Sequence, residues 1–285
     1  MKFTKMHGLG NDFILIDCRN IDIPNLPDVV KKLSHRQFGI GFDQALLLYP
    51  SFAADFRMDI YNADGGRVEM CGNGIRCLAK YIWGKKVRGQ ESGVRSKKLK
   101  EDSLSIETLA GIIQVERKGE LIKVDMGEPI LEGRKVPVNL DGRVIDHKVN
   151  IGGEVFQITC VSMGNPHCVI FVDDVYNFPV SRLGPMIETH PIFPKKTNVE
   201  FIQVINKKEL RMRVWERGAG ETLACGTGAC ASLVAANLKG LAERKATVHL
   251  AGGDLKIEWS EKDNHVYMTG PAAEVFEGVV KDIQG

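Results

Sequence analysis

What the chain has little of narrows its biology before any motif is read. Its 285 residues contain no apolar run approaching the roughly 18 that a membrane-spanning helix needs, which argues against a membrane partner. The opening Met1-Lys2-Phe3-Thr4-Lys5-Met6-His7 has no apolar centre of the kind a secretory signal carries, so the expected location is cytoplasmic. A formal charge of +2 provides no basic excess, and no nucleic acid is expected as partner. A small-molecule substrate is the default. The seven cysteines (18, 71, 77, 160, 168, 225 and 230) are odd in number and show no disulfide framework, which in a reducing compartment predicts free thiols. They do not read as a metal site either: Cys71 to Cys77 and Cys225 to Cys230 lack Cys-x-x-Cys spacing, and no His-x-x-x-His accompanies them.

What is present is a repeated device. Ala224-Cys225-Gly226-Thr227-Gly228-Ala229-Cys230 places a cysteine before a glycine turn that runs into an apolar segment. Met70-Cys71-Gly72-Asn73-Gly74-Ile75-Arg76-Cys77 does the same, 154 residues upstream. At that offset Gly10-Asn11 falls on Gly164-Asn165, Gln44 on Asn198, and Asn62 on Glu216. Beyond the turns the offset shortens to 141, where Leu109-Ala110-Gly111 meets Leu250-Ala251-Gly252. The first half therefore carries extra residues within 85–102, a lysine- and arginine-rich stretch that reads as a solvated loop.

Each half follows one order. Alternating runs at 13–17, 45–49 and 57–61, answered by 168–172, 199–204 and 210–215, predict half-buried strands. The glycine turn and an apolar helix follow, at 72–83 and 226–238, and strands resume at 104–108 and 245–250. Helices apolar nearly all round predict burial inside a curled sheet. The expected fold is α/β in the α+β sense: two pseudo-symmetric domains, each a barrel-like sheet around a central helix, with the active site in the interdomain cleft. The boundaries are 1–125 with a C-terminal return at 272–285, and 126–271.

If equivalent positions of two such halves meet, Cys71 and Cys225 face one another across a ligand. Each begins a helix, where unpaired N–H groups and the positive end of the dipole favour an anion. That setting is expected to lower the thiol pKa from about 8.5. The N–H groups of Gly72, Asn73, Gly226 and Thr227 are suited to hold one carboxylate, whose charge grows as the neighbouring carbon loses its proton. A thiolate on one face and a thiol on the other is the arrangement that inverts a carbon centre, with no cofactor. Asn11, Gln44, Asn62, Asn165 and Asn198 are amides that fix ammonium and carboxylate groups without adding charge. Glu216 and Arg217 break the symmetry, with a carboxylate for an ammonium and a guanidinium for a carboxylate. His167, two residues from Asn165, is placed to tune a cysteine. The remaining five cysteines read as buried fillers.

Phe3-Thr4-Lys5-Met6-His7-Gly8-Leu9-Gly10-Asn11-Asp12-Phe13, Tyr61-Asn62-Ala63-Asp64-Gly65, Cys71-Gly72-Asn73-Gly74-Ile75-Arg76-Cys77, Gly164-Asn165-Pro166-His167, Trp215-Glu216-Arg217-Gly218 and Ala224-Cys225-Gly226-Thr227-Gly228 together resemble the diaminopimelate epimerase family over nearly the whole chain. The resemblance implies a cofactor-independent isomerase, a homodimer, interconverting LL- and meso-2,6-diaminopimelate in lysine biosynthesis. It implies Cys71 as proton donor and Cys225 as acceptor in the LL-to-meso direction, and His167 and Glu216 as adjusters of cysteine ionisation. The substrate-binding set it implies is Asn11, Gln44, Asn62, Gly72, Asn73, Asn165, Asn198, Glu216, Arg217, Gly226 and Thr227. Two other readings stay open: a proline or hydroxyproline racemase, and a non-catalytic amino-acid binding protein using the helix starts as an anion nest.

Overall fold

The computed structural model describes residues 1–86 and 101–281, so most of the basic stretch within 85–102 lies outside the described residues. In chain order the elements are β1 (Lys2–Gly8), β2 (Asn11–Asp17), α1 (Leu26–Ser34), β3 (Gln44–Tyr49), β4 (Phe56–Asn62), β5 (Arg67–Val68), α2 (Gly72–Gly84), β6 (Ser103–Thr108), β7 (Gly111–Lys118) and β8 (Leu121–Asp125). There follow β9 (His147–Ile151), β10 (Glu154–Ser162), β11 (Pro166–Phe171), α3 (Val180–Glu188), β12 (Asn198–Asn206), β13 (Glu209–Glu216), β14 (Gly220–Thr222) and α4 (Gly226–Leu238). The chain closes with β15 (Lys245–Leu250), β16 (Gly253–Trp259), β17 (Val266–Gly270) and β18 (Ala273–Val279). Two compact units result, one of residues 1–124 with 270–285 and one of residues 125–269.

The units share one strand plan. In the first, β18, β1, β2, β3, β4, β6, β7 and β8 lie side by side, with β5 added to β4; β2–β3 and β4–β6 are parallel and the other pairs antiparallel. In the second, β9 to β13, β15, β16 and β17 repeat that order, with β14 added to β13 and parallel pairs at β11–β12 and β13–β15. β18 thus takes beside β1 the place that β9 takes beside β10. Even the register agrees, since Phe13 pairs with Gln44 as His167 pairs with Asn198.

Helices cover both faces of each sheet. Ile14, Ile16, Ala45 and Leu47 pack with Val29, Val30 and Leu33 of α1, an outer helix whose apolar stripe occupies one side only. Side chains of opposite parity on the same strands turn to the inner helix, because successive strand residues alternate faces. Leu46 accordingly lies against the start of α2. The second unit repeats this, with Val199 and Phe201 packed beneath α3 and Glu200 turned to the start of α4. Strands covered on both sides lose the polar alternation of a half-solvated sheet, which is why Leu46, Leu47 and Leu48 run consecutively at 0% exposure. α4 touches β10, β11, β12, β13, β15 and β16, so the sheet curls around it, and ten of its residues are buried. The outer helices escape a periodicity reading because they are nine residues each, and α3 carries Pro185 within it.

Candidate functional site

In the first unit Cys71 is the N-cap of α2, in extended conformation, and its Sγ accepts the Gly74 N–H at 3.4 Å. The first intrahelical bond runs from Ile75 N–H to the Cys71 carbonyl, so the N–H groups of Gly72 and Asn73 precede the helical ladder. The thiol reaches Asn11 Oδ1 at 3.8 Å, and Asn73 Nδ2 donates to the same oxygen at 3.3 Å. Asn11 is held from behind: its Nδ2 donates to Asp43 at 2.9 Å, and Arg36 bridges Asp43 and Asp12. Partial burial works to raise the Asp12 carboxyl, but hydrogen bonds from Arg36 and Lys5 outweigh it and hold the group at about 2. On the adjoining strands Gln44 Nε2 donates to Asn62 Oδ1 at 2.9 Å, leaving Gln44 Oε1 buried with no hydrogen-bond partner.

Sequence reasoning passed over Arg76. Its guanidinium is fully buried under the turn, donating to Asn73 Oδ1 at 2.9 Å, the Gly72 carbonyl at 3.4 Å and the Pro271 carbonyl at 3.0 Å. The side chain fixes the amide of Asn73 and places a permanent positive charge beneath the turn that Cys71 caps. The sequence signal was a charged residue inside an apolar helix, where the second copy has Cys230.

In the second unit Cys225 caps α4 in the same extended conformation, and Ala229 N–H makes the first helical bond to its carbonyl. Thr227 Oγ1 stands 3.5 Å from its Sγ and accepts from Asn165 Nδ2 at 3.3 Å. Asn165 Oδ1 meets His167 Nε2 at 2.9 Å, and His167 Nδ1 meets Glu200 Oε1 at 2.7 Å. His167 is therefore a buried strand residue with a polar partner at each ring nitrogen. Asn198 holds the neighbouring turn: its Nδ2 donates to the Pro166 carbonyl at 2.8 Å and its Oδ1 accepts the Arg217 N–H at 2.9 Å. The exposed Arg217 guanidinium donates to the Lys195 carbonyl at 3.2 Å. Glu188, again unforeseen, receives Trp215 Nε1 at 2.8 Å and Gly218 N–H at 3.1 Å, so it staples both flanks of Glu216-Arg217.

The electrostatics at Cys225 overturn one expectation. A helix start was expected to depress the thiol, yet here the thiol is pushed well above its ordinary value. Burial is the main cause, followed by the carboxylates of Glu216 and Glu200. The Thr227 hydroxyl works in the opposite sense and is outweighed. Glu216 is itself raised, by burial above all, against hydrogen bonds from Thr222 and Cys225. A dipole term of at most about 2 kcal/mol does not offset removal of a thiolate from water beside two negative groups.

Cys18, Cys77, Cys160, Cys168 and Cys230 are buried and unbridged. Among the described residues no three or more His, Cys, Asp or Glu side chains group so as to hold a metal, and no helix is long and apolar enough to cross a membrane.

The family model described as diaminopimelate epimerase matches residues 3–132 and 159–275. A diaminopimelate epimerase of Acetivibrio thermocellus is 54% identical over 286 residues, covering 98% of each chain. Among solved structures, a phenazine biosynthesis protein of Bacillus anthracis is similar with a TM-score of 0.69 at 17% identity, over 98% of both chains. A probable proline racemase of Agrobacterium radiobacter K84 also superposes at 0.69, with 14% identity over 99% of this chain and 93% of that one, which shows a shared fold. Matched by the family model in both units and identical to that relative at more than half of the aligned positions, the chain belongs to the diaminopimelate epimerase family.

Proposed function

We propose that this protein interconverts LL- and meso-2,6-diaminopimelate without a cofactor, using Cys71 and Cys225 as a proton donor and acceptor on one α-carbon. The observation that carries the reading is the doubled device: each unit caps its inner helix with a cysteine and surrounds it with amides at equivalent positions. Membership in the family supplies the reaction class.

In the LL-to-meso direction the Cys225 thiol first gives its proton to Glu216, a carboxylate whose raised pKa suits it to accept one. The thiolate then takes the α-hydrogen as a proton, and the electron pair left on carbon spreads into the substrate carboxylate. N–H groups of Gly72, Asn73, Gly226 and Thr227 stabilise that growing charge. The Cys71 thiol delivers a proton to the opposite face, ending as thiolate while Cys225 ends as thiol. The reverse direction exchanges the roles. Asn11, Gln44, Asn62, Asn165, Asn198 and Arg217 hold the ammonium and carboxylate groups, and the unpartnered Gln44 Oε1 offers an acceptor for an ammonium. The reading includes a cytoplasmic homodimer, for which light scattering should return twice the 31.5 kDa chain mass.

The test is reduced protein with LL-diaminopimelate in deuterium oxide. One deuterium should enter at the α-carbon as the meso form appears, and Cys71→Ala or Cys225→Ala should each stop epimerisation. Full turnover by either variant would sink the proposal. The likeness to a probable proline racemase keeps one competing substrate in play, and turnover on proline exceeding that on diaminopimelate would favour it.

A further inference from the structure

The two units differ sharply beneath their inner helices. At the repeat offset Phe13 and Leu46 stand where the second unit has His167 and Glu200, and all four are at 0% exposure. The packing is the same: a Cβ on Gly74 would meet Leu46 Cδ2 at 2.8 Å, and one on Gly228 would meet Glu200 Oε1 at 2.7 Å. An apolar pair thus satisfies this fold at this place, while a buried ionisable pair is expensive to bury and stabilises weakly. Glu200 Oε2 has no hydrogen-bond partner, so the carboxylate has not been accommodated for its own sake.

Hydrogen-bond geometry then bears on the ring. His167 Nδ1 faces the Glu200 carboxylate and Nε2 faces Asn165 Oδ1, both acceptors, while the Asn165 amide nitrogen is committed to Thr227 Oγ1. Opposite an ionised Glu200, a neutral imidazole has one N–H and leaves one of these contacts without a proton, whereas an imidazolium satisfies both. We propose that Glu200 is a positioning residue that holds His167 as an imidazolium, whose charge, joined through Asn165 and Thr227 to Cys225, supports the thiolate there. Other ionisable groups around the ring are Glu216 at the end of β13 and Cys225 at the start of α4; the thiols Cys168 and Cys160 of β11 and β10 lie on the opposite face of the sheet, beneath α3. Cys168 is kept protonated by burial. Glu216 acts on the same side as Glu200, so His167 is the sole cation of this group.

For its effect on rate the inference rests on the epimerase reading, but the protonation state does not. Long-range proton–nitrogen correlation on histidine-labelled protein, with His167 assigned by its loss in His167→Asn, should show both ring nitrogens protonated at pH 8, above the ordinary histidine pKa of about 6.5. A nitrogen carrying a lone pair at that pH in the native protein overturns the proposal, whether or not the protein epimerises anything. Glu200→Gln should make His167 neutral and lower kcat on the order of tenfold or more, with KM changed less than about threefold. It should also move the ascending limb of the pH profile upward, because thiolate forms harder without the cation. Glu200→Asp should recover part of the loss. Unchanged kcat, pH profile and nitrogen shifts in Glu200→Gln also overturn it, and if that variant fails to fold, the native spectrum decides.

Discussion

At the scale of single residues, Cys71 and Cys225 are copies of one another in backbone and opposites in surroundings. Cys71 caps the turn that the buried guanidinium of Arg76 underlies, whereas Cys225 is enclosed beside Glu216 and Glu200. Cys225 is consequently a thiol in the ligand-free protein. Its alkylation by iodoacetamide, followed by peptide mass spectrometry, should have a midpoint well above the ordinary thiol value of about 8.5. Glu216→Gln removes a negative neighbour, so the midpoint should fall even though epimerisation declines with loss of the proton acceptor. A native midpoint at or below the ordinary value would refute this electrostatic account. Glu188 acts at one remove: Glu188→Gln keeps its size but weakens the staple on Trp215 and Gly218. Its expected effect is a severalfold rise in KM, from a displaced Arg217, with a smaller change in kcat.

Among elements, the glycine turns carry the clearest contrast. The second glycine of each turn packs against the strand beneath, but the neighbours differ in how readily they yield. At Gly74 the obstacle is a leucine methyl that a rotamer change can move. At Gly228 it is a carboxylate oxygen fixed by His167, with Cys225 Sγ at 3.2 Å on another side. Gly228→Ala should therefore destabilise by about 1–3 kcal/mol, as overpacking does, and cost most of the activity by displacing Cys225 and Glu200 together. Gly74→Ala should cost less in both denaturant midpoint and turnover; equal losses would show that the strand beneath the turn is not what distinguishes the two. Each cysteine is held at the start of a helix that is largely buried against its own sheet.

For the whole molecule, the buried thiols predict a response to alkali. Burial raises Cys18 to about 11 and Cys77 to about 12, from a usual 9.0. A raised folded-state pKa means stability fully present below the unfolded value and lost as pH rises through the folded one, here between about 9 and 12. Urea midpoints under reducing conditions should fall from pH 8 to pH 10.5, and Cys77→Ala should flatten that slope while lowering the starting value. A slope unaltered by the substitution would assign the alkaline loss to other groups. Much of this protein was legible in its residue order. The doubled Cys-Gly-x-Gly turns, the amides around them and the paired strand runs are local patterns, and turn chemistry and strand alternation act over a few residues, so sequence spacing reports them directly. Three things were not legible: the outer helices α1 and α3, too short to show a period; the partner strand β1 that β18 takes in the C-terminal return, a pairing across the full chain; and the sign of the shift at Cys225. The last has the simplest cause. A thiol's ionisation depends on which charges share its dry surroundings, and Glu200, 25 residues before Cys225 and 33 after His167, reaches both only because the sheet folds β11 and β12 side by side under the start of α4. The sequence by itself determined which two cysteines stand before the glycine turns; the tertiary structure decided the charge state of Cys225.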